Sequence, residues 1–270
     1  RKMNGFEALV LGLVQGFTEF LTVRTSGHLV IVKHLFGIET TDASFEIIVH
    51  AATVLSTVVV FWKPLWEMVR DTLSFRKTES TGMALRILLS TLPVLVVGLF
   101  FKDKIEALFT GGLSIVGWML LLTAAFLLLS QWLAGIRQKQ GNTHPIGYRD
   151  AFLMGIAQAF AVLPGLSRSG ATIATGLSLG GHKDKVAPFS FMMVLIPVLG
   201  EAFLEIVSGG FAPAVTGLSF SAMAIGFLAA FTAGLLACKL MIAIVRKVRF
   251  TWFAVYCLLV GLACLLVPLL

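Results

Sequence analysis

The sequence predicts an all-α polytopic membrane protein arranged as an inverted repeat, each half one re-entrant helical hairpin plus three transmembrane helices. Three observations lead there. Of 270 residues, 57% are hydrophobic and only 13% charged, whereas a soluble domain carries about 25% charged residues. Apolar runs long enough to cross a hydrocarbon core, which takes about 20 helical residues, recur between short basic loops. Two of the runs are broken by polar turns, at residues 24–27 and 165–169, and the stretches around those turns resemble each other.

Residues 5–23 are apolar but interrupted by Gln15 and Glu19, and residues 28–37 are a second, short apolar piece. Ten residues of helix rise about 15 Å, half a hydrocarbon core. The pair therefore reads as a re-entrant hairpin whose turn, Arg24-Thr25-Ser26-Gly27, needs a protein-enclosed cavity for its backbone. Full spans are expected at 45–62, closed by Trp62-Lys63-Pro64, at 83–101 with a kink at Pro93, and at 113–133. Between the first two lies a loop with Arg70, Arg76 and Lys77. The polar segment 134–149 is the main internal boundary. Beyond it the pattern restarts, with a broken pair at 150–164 and 170–181 around Gly165-Leu166-Ser167-Arg168-Ser169, then spans at 186–208, 220–245 and 251–270.

The restart is a repeat, about 5–133 and about 150–270, within one membrane domain covering 1–270. Shifted by 143 positions, Ala8, Gly12, Gln15, Phe17, Ser26, Gly27 and Gly37 fall on Ala151, Gly155, Gln158, Phe160, Ser169, Gly170 and Gly180. With one residue inserted, Phe45, Val54 and Leu55 fall on Phe189, Val198 and Leu199. An odd number of crossings per half inverts the second half, an arrangement that places sites near the midplane between broken helices. Loop charge sets the orientation. One side receives Lys63, Arg70, Arg76, Lys77, Arg137, Lys139, Arg149, Lys183, Lys185, Arg246, Lys247 and Arg249; the other receives Arg1, Lys2, Lys33, Lys102 and Lys104. The first side is expected to be cytoplasmic, so the first hairpin opens outward and the second enters from the cytoplasm.

The net charge of +7 resides mostly in these loops, where anionic headgroups account for it. No interleaving of basic and aromatic residues suggests a nucleic-acid surface. Cys238, Cys257 and Cys264 lie in apolar runs without metal-ligand spacing and read as small hydrophobes.

Ionisable groups at membrane depth cost roughly 2.5–3.5 kcal/mol each, so those present need partners, water or a ligand. Gln15 and Glu19 are four apart and share a helix face. Glu19, with Gln15, suits a hard divalent cation, Mg2+ or Ca2+, bound through oxygen and shared with phosphate; a structural pairing with an Arg suits it too. Thr25 and Ser26 are hydroxyls beside His28, a side chain able to act as base, and they equally suit capping of a helix starting near Gly27. Gly27 lets backbone approach a ligand. Ser167, Ser169 and Gly170 precede or open a helical run, whose N-terminal amides bind anions, and Arg168 adds a planar fork for phosphate. Glu46 and His50 share a face and either line the cavity or pair with each other. Together the two turns offer carboxylate, hydroxyl, imidazole and guanidinium, a set suited to phosphoryl transfer.

At these residues the chain resembles the undecaprenyl-pyrophosphate phosphatase family, also known for bacitracin resistance. The resemblance covers nearly the whole length. It is strongest in Gln15-Gly16-Phe17-Thr18-Glu19-Phe20-Leu21, Ser26-Gly27-His28, Phe45-Glu46 and Pro164-Gly165-Leu166-Ser167-Arg168-Ser169-Gly170-Ala171-Thr172. It implies an inner-membrane enzyme with its site open to the periplasm, acting on undecaprenyl pyrophosphate. The family's Glu/Gln-x-x-x-Glu element falls on Gln15 and Glu19, its catalytic His on His28, its phosphate-binding Arg on Arg168 and its nucleophile on Thr25. Where the family usually reads Leu-Pro-Val-Ser-Ser-Ser/Thr-Gly-His, this chain reads Leu21-Thr22-Val23-Arg24-Thr25-Ser26-Gly27-His28. Arg24 thus sets a second cation beside the hydroxyls, placed to clamp the substrate or to fill the pocket. The same scaffold would also suit a transporter or flippase of a lipid phosphate, and the sequence leaves a homodimer open.

Overall fold

A computed structural model describes residues 3–20, 44–101, 112–163, 166–207, 219–247 and 251–266. Among them the secondary structure is helical: α1 (Gly5–Phe20), α2 (Ser44–Val60), α3 (Trp62–Leu73), α4 (Glu79–Phe100), α5 (Gly112–Lys139), α6 (Tyr148–Phe160), α7 (Arg168–Leu179), α8 (Lys183–Val207), α9 (Phe220–Lys247) and α10 (Thr251–Leu266). The second short piece of the first hairpin, 28–37, lies outside the described residues.

The polarity is that of a membrane bundle. On α4, Leu85, Leu88, Leu92, Leu95 and Leu99 form an exposed stripe at helical spacing. Its opposite face buries Ser90 and Thr91, whose hydroxyls bond back to the Ile87 carbonyl. An apolar outside with small hydroxyls within is what lipid solvent selects. Three helices among the described residues, within α4, α5 and α9, are long and apolar enough to cross a membrane, or four spans if the bent α2–α3 pair counts as one. The sequence expects six. Of the remaining two, α8 opens with Lys183, Asp184 and Lys185 and contains Pro188 and Pro197, and the described part of α10 has 16 residues.

Two elements differ from expectation. The loop after Trp62 is largely the helix α3, turned 79° from α2; alternating apolar and charged residues conceal it from a reading tuned to long apolar runs. α4 runs on through Pro93 as a single helix.

Helix α1 packs on α9, and α9 on α2. The first contact is close because both partners are small where they touch. Gly12 and Gly16 face Gly226, Ala230, Ala233 and Gly234, and a Cβ at Gly16 would stand 2.6 Å from the Ala233 Cβ and 2.7 Å from the Ala230 carbonyl. This is the small-xxx-small seam of membrane helices. In the second half α6 packs on α4, with Gly155 against the Ser90 backbone.

The linker between halves is stitched at its end. His144 bridges Gly181, and its Nε2 lies 3.1 Å from the Leu179 carbonyl at the end of α7. Arg86, buried on α4, donates to the Ile146 carbonyl at 2.6 Å and to Glu79. It is a structural cation absent from the sequence-based candidates. The three cysteines are buried.

Candidate functional site

The site begins with the geometry of α1. Gln15 and Glu19, one turn apart, project from the same face, and the Gln15 Nε2 donates to Glu19 Oε2 at 2.8 Å. The seam with α9 sets the depth of this face, since Gly16 packs closely on the Ala233 side chain and on the backbone of Ala230 and Gly234. Gln15 is fully buried, while the Glu19 side chain is 14% exposed.

The second component comes from α7. Ser167 is its N-cap, with Oγ accepting from the Gly170 amide at 3.1 Å, and the Ser167 amide donates to Thr123 Oγ1 on α5 at 3.4 Å. Thr172 and Ser190 hydroxyls meet at 2.6 Å, tying α7 to α8. These bonds hold the first turn of α7 so that Arg168 reaches across the bundle. Its Nη2 donates to Glu19 Oε1 at 2.9 Å.

The third component is His50 of α2. Its Nδ1 lies 2.9 Å from Gln15 Nε2 and 3.2 Å from Glu19 Oε2. Both Glu19 oxygens are therefore engaged, Oε1 by the guanidinium and Oε2 by the Gln15 amide, with the His50 Nδ1 beside it. Glu19, Arg168, Ser169, Thr53 and Thr57 line one narrow cleft, walled on its apolar side by Phe20, Phe191, Val194 and Leu195. The Gln15 Oε1 is buried with no hydrogen-bond partner among the described residues, an acceptor without a donor where such atoms are normally satisfied.

The structure thus brings together Gln15, Glu19, Arg168 and Ser169. It places Ser167 and Gly170 in the cap that orients Arg168, so the Gly170 amide is spent within α7. Arg24, Thr25, Ser26, Gly27 and His28 lie outside the described residues. Glu46 sits on α2, its side chain also outside the described set. His50 joins α1 through Gln15 and Glu19.

A cleft that bonds a guanidinium to a carboxylate, with hydroxyls beside them and an apolar wall, suits an anionic group carried on a hydrocarbon chain. Comparison with known proteins agrees. A family model described as bacitracin resistance protein BacA matches residues 8–263. The chain is 51% identical over 267 residues to an undecaprenyl-diphosphatase of Bacteroides fragilis, covering 98% of each. It is 50% identical over 262 residues to one of Parabacteroides distasonis, covering 96% of this chain and 97% of the relative. It is 35% identical over 268 residues to one of Korarchaeum cryptofilum, covering 96% and 97%.

Proposed function

This chain belongs to the bacitracin resistance protein BacA family, and on that premise we propose that it is an integral-membrane phosphatase hydrolysing undecaprenyl diphosphate to undecaprenyl phosphate and inorganic phosphate. The product is the lipid carrier returned to cell-wall synthesis. The observation that carries the reading at this site is the Glu19–Arg168 contact in a cleft with an apolar wall.

The chemistry follows from what each residue can do. The hydroxyl of Thr25 or Ser26 attacks the terminal phosphorus, and His28 takes its proton. The anhydride P–O bond breaks and its electron pair leaves on undecaprenyl phosphate. Water then cleaves the phosphoenzyme, restoring the hydroxyl and releasing phosphate. Arg168 neutralises charge on the transferring phosphoryl group. A guanidinium has five N–H donors, so the single bond to Glu19 leaves others for phosphate oxygens. Glu19 holds the fork in place, as preorganised charge requires. Arg24 adds a second cation toward the diphosphate, and Gly27 permits close approach of the backbone.

A hard divalent cation, Mg2+ or Ca2+, fits the donors. Gln15 would offer a buried carbonyl without a partner among the described residues and Glu19 the remaining lone pairs of its two already bonded carboxylate oxygens, with substrate oxygens and water completing an oxygen shell. Among the described residues no group of three or more His, Cys, Asp or Glu gathers, so an ion at Glu19 and Gln15 would draw the rest of its shell from substrate and water. Such an ion supplies charge neutralisation on the diphosphate when bound.

An inverted repeat would account for the meeting of the end of α1 with the first turn of α7. Ala8 and Ala151 are both fully buried, Gln15 and Gln158 are both buried with an unpartnered Oε1, and Phe45 and Phe189 are both buried. Val54 and Val198 pack in one cluster, while Leu55 and Leu199 are both exposed. α1 packs on α9 as α6 packs on α4, the crossed pairing that a two-fold relation between halves produces. With the basic loops cytoplasmic, the first hairpin and its hydroxyls open to the periplasmic side of the inner membrane.

The test is phosphate release from undecaprenyl diphosphate by purified protein in detergent. Arg168→Ala and Glu19→Ala each abolish release while the protein stays monodisperse. Full release by both variants overturns this site. Movement of the lipid between leaflets of vesicles without release points instead to a carrier.

A further inference from the structure

Helix α3 divides into three faces. Phe61, Leu65, Met68 and Thr72 turn toward the bundle, Lys63, Glu67 and Arg70 form a charged edge, and between them Trp62, Trp66, Val69 and Leu73 form an exposed apolar stripe. Trp62 and Trp66 are 58% and 56% exposed and stack on each other, ring centroids 6.1 Å apart at 13°. A spanning helix exposes apolar residues around its outward side. This one sets an apolar stripe directly beside a charged one and lies 79° off the axis of α2. That combination belongs to a helix lying flat in a bilayer surface, and exposed tryptophans favour the depth of the headgroups.

The turn after α3 supplies a second, independent observation. Phe75 takes the left-handed conformation (φ 52) that closes the helix, and its ring is 93% exposed. An aromatic residue in that backbone region is disfavoured, and no aromatic contact within the described residues compensates for it. Arg76 and Lys77 follow immediately. Over residues 62–77 four cations, Lys63, Arg70, Arg76 and Lys77, face two carboxylates, Glu67 and Asp71, and Asp71 is already bonded to Arg70 at 3.1 Å and to Thr78 at 2.8 Å.

We propose that α3 and the turn through Lys77 form a binding surface for the lipid–water interface, with the Trp stripe at the depth of the glycerol esters and the cations beside phosphates of anionic phospholipids. Because α3 continues directly from α2, which carries His50, this surface anchors one wall of the cleft to the leaflet. The inference stands on α3 alone and does not depend on the reaction assigned to the cleft.

The experiment uses the full chain with Trp118, Trp132 and Trp252 replaced by Phe, reconstituted in vesicles containing phosphatidylglycerol. Fluorescence of Trp62 and Trp66 is quenched strongly by lipids brominated near the ester carbonyls and weakly by lipids brominated near the chain ends or by aqueous iodide. Quenching by iodide alone, or strongest quenching from the chain ends, overturns the proposal. So does insensitivity to every quencher, which indicates cover by a second copy of the chain. Should the triple variant not fold, a nitroxide on Leu73→Cys reports the same depth from its accessibility to oxygen against a water-soluble nickel chelate. High accessibility to the chelate alone is then the overturning result.

Discussion

The Arg168 guanidinium lies 2.9 Å from the Glu19 carboxylate, joining residues 149 positions apart. Neither group is tolerable alone in an apolar bundle, and removing one partner of such a pair leaves the other stranded. Arg168→Lys keeps the charge but loses the planar fork. We expect phosphate release to fall by about 10²–10³-fold, the usual effect of removing one preorganised donor at developing charge, with little change in thermal stability. Steady-state release and a melting curve measured side by side check this. Equal activity of the Lys variant would mean that the fork plays no part.

His50 gives a finer prediction. The two N–H bonds of the Gln15 amide are placed to serve Glu19 and the His50 Nδ1, at 2.8 and 2.9 Å. His50→Ala strands a buried donor, at a cost of about 1–3 kcal/mol, and lets Glu19 drift from Arg168. The turnover number should fall at least tenfold, more than KM changes. His50→Gln, which can present a carbonyl to the same donor, should recover most of the loss. A Gln variant as poor as Ala would show that the imidazole itself is required.

The seam between α1 and α9 sets the position of Glu19, so a wedge there should act at a distance. Gly16→Val puts atoms where 2.6 Å separates a new Cβ from that of Ala233, and overpacking of this kind costs about 1–3 kcal/mol. Both melting temperature and phosphate release should drop. Gly98→Ala serves as the control: its added Cβ meets nothing within 4 Å, and Ala is favoured over Gly in a helix interior. Stability equal to or above that of the parent is expected for Gly98→Ala.

Removal of divalent ions tests the Gln15–Glu19 donor pair. Chelation should abolish release, and Mg2+ or Ca2+ should restore it. In Gln15→Leu, which lacks the unpartnered carbonyl, restoration should require a higher ion concentration. Full activity in chelator would remove the ion from the reaction.

The sequence shows the polar residues of the cleft more clearly than their partners. Gln15 and Glu19 are legible because four-residue spacing on a helix is a local rule. Arg168 is legible because a lone guanidinium in an apolar chain demands an explanation. His50 is ambiguous in sequence, since its spacing from Glu46 suggests a pair on one helix whereas its bonds run to α1. Arg86 and α3 escape notice for a related reason: an Arg near the end of an apolar run and a short amphipathic stretch both look like loop polarity until their contacts with Ile146 and the bundle are seen.

By itself, the sequence determined that this chain is solvated by lipid, that its polar residues concentrate at breaks in apolar helices, and which of them could handle phosphate. Those are consequences of composition and of spacing within single turns. Only the tertiary structure decided that Glu19 satisfies Arg168 and Gln15 together, that His50 completes the set, and that α3 turns away from its span. Each of these depends on which helices touch, and that is settled by small-residue seams and buried polar pairing over long separations in the chain.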